Sequence, residues 1–212
     1  MLQGFDGVRA SARRLGELLA RDPLERYGTT ESGLDTSNPY EGDRRSGSVG
    51  LPLPGVSMAI ANPDGMPLEP GSDGEIVFRG PQVFAGYTDD AETAAAFHPG
   101  GWFRTGDIGR VDPGDGSLAI TGRCKEVIIT GGLNVNPREV ELALETYAGV
   151  SAAAVVGVAS ERWGEEVVAF VVAESGRAPN DVDLIAHARA QLAAYKCPKR
   201  VIPIAELPMN AI

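Results

Sequence analysis

The sequence predicts an α+β chain. Short β-type runs separated by Pro, Gly, Asn and Asp turns fill the first half, and two longer apolar, β-branched runs follow at residues 151–158 and 166–173. Helical periodicity is confined to brief stretches, the clearest at residues 138–146 and 181–192. The last third, with strands, two helices and a closing strand, reads as a compact α+β unit.

Taken in order, residues 8–20 set Leu15, Leu18 and Leu19 among Arg and Glu, a modest amphipathic helix that Asp22-Pro23 ends. Residues 34–56 are rich in turn formers with apolar residues spaced between them, as in an ordered loop. Residues 57–61 and 74–79 read as strands, bounded by the turn sequences Asn62-Pro63-Asp64-Gly65 and Pro70-Gly71-Ser72-Asp73-Gly74. Residues 89–97 form a short helix with Ala91, Ala94, Ala95 and Phe97 on its apolar side. His98 then falls in a Pro-Gly-Gly loop with no second ligand at metal spacing; it reads as an exposed loop residue without a role. Residues 117–121 and 127–130 are further β runs. Pro137 suits the first position of the helix over 138–146, which directs Val140, Leu142 and Leu144 toward its neighbours. The helix over 181–192 sets Leu184, Ile185, Ala188 and Leu192 on one side.

Charge narrows the partners. A net charge of -10 argues against a nucleic-acid groove or an anionic membrane surface. No apolar run approaches the roughly 20 residues of a spanning helix. Cys124 and Cys197 have neither zinc-ligand nor disulfide-framework spacing, which fits a reducing cytoplasm.

Two stretches carry chemistry. In residues 25–33 a Gly-flanked loop holds Thr29, Thr30 and Glu31, offering hydroxyl and backbone donors to phosphate and an oxygen ligand to Mg²⁺; read alone, a polar turn explains it as well. In residues 101–141 four polar features lie beside short β runs, where sites are commonly built. They are Asp107 after Thr105-Gly106, the pair Gly122-Arg123, the dipeptide Lys125-Glu126 and the double glycine Gly131-Gly132.

Those features in that order resemble the adenylate-forming acyl-CoA synthetase family. Trp102 to Asp107 is similar to its W/Y-RTGD motif and Gly122 to Ile128 to its GRxKE/D-xI motif. Tyr27 to Glu31 resembles its YGxTE motif and Gly74 to Tyr87 its GEIxxxGxxVxxGY signature, which is structural. The resemblance covers residues 24–212. It implies the remainder of a large nucleotide-binding domain with a small β-barrel-like subdomain (1–124), then a mobile α+β C-terminal domain (125–212).

The resemblance also implies roles. Tyr27 lies against adenine, Thr30 bonds the α-phosphate, Glu31 holds Mg²⁺, Asp107 holds the ribose hydroxyls and Arg123 meets ribose and phosphate oxygens. Lys125 is the hinge about which the second domain turns between adenylation and thioester formation, and Gly131 and Gly132 face the path of the thiol. ATP/AMP, Mg²⁺ and coenzyme A are the implied cofactors, and a small carboxylic acid the substrate. Thr36 to Tyr40 followed by Arg44-Arg45 resembles the malonyl-CoA synthetase branch, with a fatty acid as the second choice. Either arginine could meet a second substrate carboxylate, although a solvated pair is the reading kept. Residues 192–198 resemble the wording of CoA ligases more than that of peptide-synthetase adenylation domains. Within them Lys196 reads as solvated, with coenzyme A phosphates the other option. Glu206 to Ile212 resembles the start of the family's final motif, whose Gly-Lys would follow. A chain of these residues, without that lysine or a Ser/Thr/Gly-rich phosphate loop, is expected not to adenylate alone and to self-associate. An inactive remnant or a nucleotide- or partner-binding module is the alternative.

Overall fold

The computed structural model describes residues 23–174 and 180–208, together with Gly16. Apart from Gly16, which is helical, the helix expected over residues 8–20 lies outside the described residues, as do residues 209–212 of the final motif. The fold is α+β, as the sequence predicts. The chain divides into two compact units, one ending at Cys124 and one beginning at Lys125.

In the first unit, β1 (Arg26–Tyr27), β2 (Thr36–Ser37) and β3 (Leu51–Pro52) form a three-stranded antiparallel sheet. A five-stranded antiparallel sheet follows. Its strands are β4 (Ser57–Ala61), β5 (Gly74–Arg79), β6 (Phe97–His98), β7 (Trp102–Val111) and β8 (Leu118–Arg123), in the order β4-β5-β7-β6 with β8 also on β7. Alternation in β5 sends Ile76 and Phe78 into a core shared with Ile60, Leu118, Ile120 and Tyr27. Each such burial is worth about 1.5–3 kcal/mol.

Two expectations change here. The helix α1 (Asp90–Ala95) is capped by Asp89, whose carboxylate accepts from the Ala91 and Glu92 amides, and it ends before Phe97. Phe97 and His98 instead pair with β7, His98 opposite Trp102, so His98 is a buried strand residue at 8% exposure rather than an exposed loop residue. The turn through Gly100 and Gly101, both at positive φ, folds β6 back onto β7.

The second unit carries β9 (Ile128–Thr130), β10 (Leu133–Val135), β11 (Val150–Ser160), β12 (Gly164–Ala173) and β13 (Arg200–Ile204), in the order β10-β9-β12-β11, with β13 parallel to β12. The helices α2 (Pro137–Glu145) and α3 (Asp181–Gln191) accompany them. Asn136 caps α2 by accepting from Arg138 N, and Pro137 fills a position whose N–H has no helical partner. Val140 and Leu144 are fully buried, but Leu142 is 41% exposed, contrary to the sequence reading. The helical period explains the change: 140 and 144 share a face with 137 and 141, whereas 142 is turned away. Glu141 occupies that buried face, accepting from Val155 N at 2.9 Å and from Arg138 at 3.2 Å. On α3, Leu184 and Ala188 are buried, and Leu192 packs on the same core from just past the helix end.

Candidate functional site

The sharpest arrangement in the first unit centres on Asp107. The carboxylate lies in β7 opposite Arg123 of β8, and Arg123 Nε is 3.3 Å from its Oδ1. The Tyr27 hydroxyl donates to Oδ2 at 2.7 Å. A carboxylate offers about four lone-pair positions, so these two contacts leave acceptor capacity on both oxygens. Asp107 is 13% exposed at the side chain, which shields it from bulk water without closing it off. Two vicinal hydroxyls are the donor pattern that such an oxygen pair accepts.

Tyr27 is set between the core and Asp107. The ring is only 9% exposed and lies 6.0 Å from Phe78, so what the structure gives it is a core contact and a grip on Asp107. Burial, and then the Asp107 charge, push its hydroxyl well above the ordinary tyrosine range; it therefore stays a donor.

The loop after Tyr27 folds back tightly, with Gly33 N donating to Thr29 O at 2.7 Å. A Cβ at Gly28 would sit 1.8 Å from Gly33 O, so only glycine fits beneath that return. Thr30 is exposed at the turn. Its floor is Asp35, fully buried, which accepts from the Ser32 hydroxyl and from Gln82 Nε2 at 3.0 Å. Desolvation raises the pKa of Asp35 against the lowering effect of those two donors.

Glu31 is held twice by the segment around Phe84. Phe84 N donates to Glu31 O at 2.7 Å, and the Tyr87 hydroxyl donates to Glu31 Oε1 at 2.9 Å. That hydrogen bond keeps the carboxyl below the ordinary glutamate range. Among the described residues no cluster of three metal-ligating side chains occurs. A single ionised carboxylate fits Mg²⁺ that arrives on nucleotide phosphates, because Mg²⁺ keeps most of its waters and uses one or two protein oxygens.

Three cations read as solvated in fact have protein partners. Arg45 contacts Asp112 at 2.7 Å and Asp115 at 2.8 Å, while the Arg44 guanidinium bonds Pro39 O and Tyr40 O. Lys196 meets both oxygens of Glu139 at 2.6 and 2.7 Å. The carboxylates that meet Arg45 and Lys196 are distant in the chain, so no local pattern marks these pairs.

Lys125, Gly131 and Gly132 belong to the second unit. Lys125 is exposed in a 3-10 turn, Cys124–Glu126. Gly131 (φ 58) and Gly132 (φ 78) are the central residues of the hairpin joining β9 to β10, where Leu133 pairs with Thr130. A two-residue loop with both φ positive accounts for the double glycine by itself. Beside it stands Trp163, 39% exposed, whose carbonyl accepts from Gly131 N at 2.8 Å. Arg162 and Lys199 lie 4.8 and 5.8 Å from its ring. An open indole with two cations suits a base or phosphate. Neither Trp163 nor Tyr87 is marked as a site residue by its motif; the signals in sequence are an aromatic next to Arg162 and a tyrosine closing a structural signature.

Comparison with known proteins gives the family. The AMP-binding enzyme family matches residues 8–88, and the AMP-binding enzyme C-terminal domain matches residues 139–212. The indoleacetate–CoA ligase of Aromatoleum aromaticum is 42% identical over 188 residues, covering 88% of this chain and 37% of that protein. The oxalate–CoA ligase of Arabidopsis thaliana is 42% identical over 201 residues, covering 93% and 39%. Among solved structures, ATP-bound MatB from Rhodopseudomonas palustris superposes with a TM-score of 0.85 at 41% identity, covering 96% of this chain and 41% of that one. The chain thus spans a little over a third of the length of these curated relatives. At these identities and coverages the conclusion is plain: the chain belongs to the adenylate-forming AMP-binding enzyme family, of which it represents the C-terminal portion.

Proposed function

We propose that the protein is an acid–thiol ligase that activates a carboxylic acid with ATP to an acyl-adenylate and passes the acyl group to coenzyme A. The observation that carries this reading is Asp107, ionisable, largely shielded, and fixed between Tyr27 and Arg123 with acceptor capacity to spare. In this reading Asp107 accepts from the ribose hydroxyls, Arg123 answers the neighbouring oxygens and Thr30 bonds the α-phosphate. Tyr27 borders the adenine and holds Asp107. Glu31 would hold Mg²⁺, which when bound offsets phosphate charge as the pyrophosphate leaves. Lys125 is the hinge residue, and Gly131 and Gly132 border the thiol path with Trp163 beside them.

The acid is proposed to be small, malonate or a relative of it, with a fatty acid second. Support for malonate is the wording of residues 36–45, since both arginines there are already engaged. Relatives named for indoleacetate and for oxalate match this chain at the same 42% identity, which fits acid choice residing outside the shared segment. The proposed setting is the cytoplasm, where both substrates of the ligation are supplied; both cysteines are free thiols, and among the described residues no helix is long and apolar enough to cross a membrane.

Titration with acyl-sulfamoyl adenosines, stable mimics of the acyl-adenylate, tests the reading. Malonyl and long-chain mimics are expected to bind with an adenosine-dependent affinity that free acids lack. Binding of the acids without any contribution from adenosine would exclude this function.

A further inference from the structure

The Thr105-Gly106-Asp107 segment is not a loop at a strand end but a bulge inside β7. On β5, Glu75 pairs with Ile108 and Val77 with Arg104, so Ile76 alone faces Thr105, Gly106 and Asp107. Such a bulge re-aims a side chain but strips its residues of ladder partners on the β5 side. Side chains replace those partners. Thr105 Oγ1 donates to Ile76 O at 2.8 Å and accepts from Asp107 N at 3.1 Å. Gly106 N donates to Glu75 Oε1 at 3.2 Å.

Glu75 is 7% exposed, an unusual place for a charge without a task. Its other oxygen accepts from Arg104 Nε at 3.1 Å and lies 3.5 Å from His98 Nε2, a buried atom with no hydrogen-bond partner. A buried carboxylate persists when its oxygens are satisfied, and Glu75 spends one oxygen on Arg104 and the other on the peptide immediately before Asp107. A solely structural ion pair would not need the Gly106 contact.

We propose that Glu75 is a positioning residue for the ribose: by holding the Gly106 N–H it fixes the bulge that aims the Asp107 carboxylate. The inference rests on the reading of Asp107 as the ribose acceptor. Removing the Glu75 oxygens lets the bulge relax and blurs the alignment of Asp107, so the protein loses its preference for ribose over deoxyribose rather than its adenine or phosphate contacts.

The test is equilibrium binding of ATP, 2′-deoxy-ATP and 3′-deoxy-ATP to the full chain. The wild type is expected to favour ATP by about tenfold, the range of one charge-assisted hydrogen bond. Glu75→Leu should bring that ratio to within about twofold of unity, while Glu75→Gln, which retains an acceptor for Gly106 N–H, keeps most of it. Since Glu75→Leu leaves Arg104 unpaired and could fail to fold, amide exchange at Gly106 in the wild type is the second readout. Protection of that amide supports the contact, and exchange at the rate of an open loop overturns it. A folded Glu75→Leu protein with wild-type discrimination overturns the inference while leaving Asp107 as the acceptor. Equal binding of all three nucleotides by the wild type removes the reading of Asp107 itself, and the inference with it.

Discussion

The Tyr27 hydroxyl donates to Asp107 Oδ2 at 2.7 Å, joining two motifs 80 residues apart in the chain. Both partners are shielded from water, so the bond is stronger than an exposed one and its loss leaves Arg123 as the remaining side-chain contact of the carboxylate. Tyr27→Phe keeps the ring against Phe78 and removes only the donor. ATP affinity is expected to fall about fivefold to tenfold, with little change in melting temperature, as read by calorimetry. Unchanged affinity would mean that Asp107 needs no such anchor.

Tyr87 does for Glu31 what Tyr27 does for Asp107. Its hydroxyl fixes Oε1, and its ring packs edge-on at 4.7 Å from Phe84, whose amide holds the Glu31 carbonyl. In Tyr87→Phe the Mg²⁺ concentration at half-maximal nucleotide binding is expected to rise about threefold to tenfold, with binding at saturating Mg²⁺ restored. A paramagnetic Mn²⁺ titration gives the same comparison without turnover.

Asp35 gives the first unit a pH dependence. Burial raises its folded pKa above the ordinary 3.8. Between those two values the native state binds more protons than the unfolded state, so this group's contribution to stability falls as pH rises through the window. Asp35→Asn keeps an acceptor for one of the two donors, Ser32 or Gln82, and removes the titration. The difference between wild-type and variant melting temperatures should therefore change across the acid range and level off above it; a constant difference contradicts the assignment.

In the second unit, neighbouring leucines on α2 separate packing from propensity. Leu144 is fully buried and Leu142 is 41% exposed. Leu144→Ala is expected to cost about 2–5 kcal/mol by denaturant unfolding, and Leu142→Ala within about 0.5 kcal/mol. Similar losses at both positions would place α2 in the wrong rotation.

Much of this architecture was legible in the residues. Pro137 announces the start of α2, and the β-branched runs at 151–158 and 166–173 form the antiparallel pair β11 and β12. Leu142 breaks the expectation because alternate residues do not share a helical face. His98 was missed because a lone histidine in a Pro-Gly-Gly context carries no local sign of burial; only the pairing of β6 with β7 puts it next to Glu75. In the candidate site, Asp107 and Arg123 stood out through their motifs, but their pairing is a matter of register between β7 and β8. The bulge that aims Asp107 is likewise invisible in sequence, because it depends on which residue of β5 faces Thr105.

The central claim is that Asp107 is the nucleotide-binding carboxylate, and calorimetric titration of ATP into wild-type protein and Asp107→Asn tests it most directly. Asn keeps the size and one acceptor of the side chain, so both proteins should melt alike. The account expects the wild type to bind ATP and the variant to bind it at least about tenfold more weakly, with the deficit largely absent for an analogue lacking both ribose hydroxyls. Equal ATP affinity in the two folded proteins would contradict it.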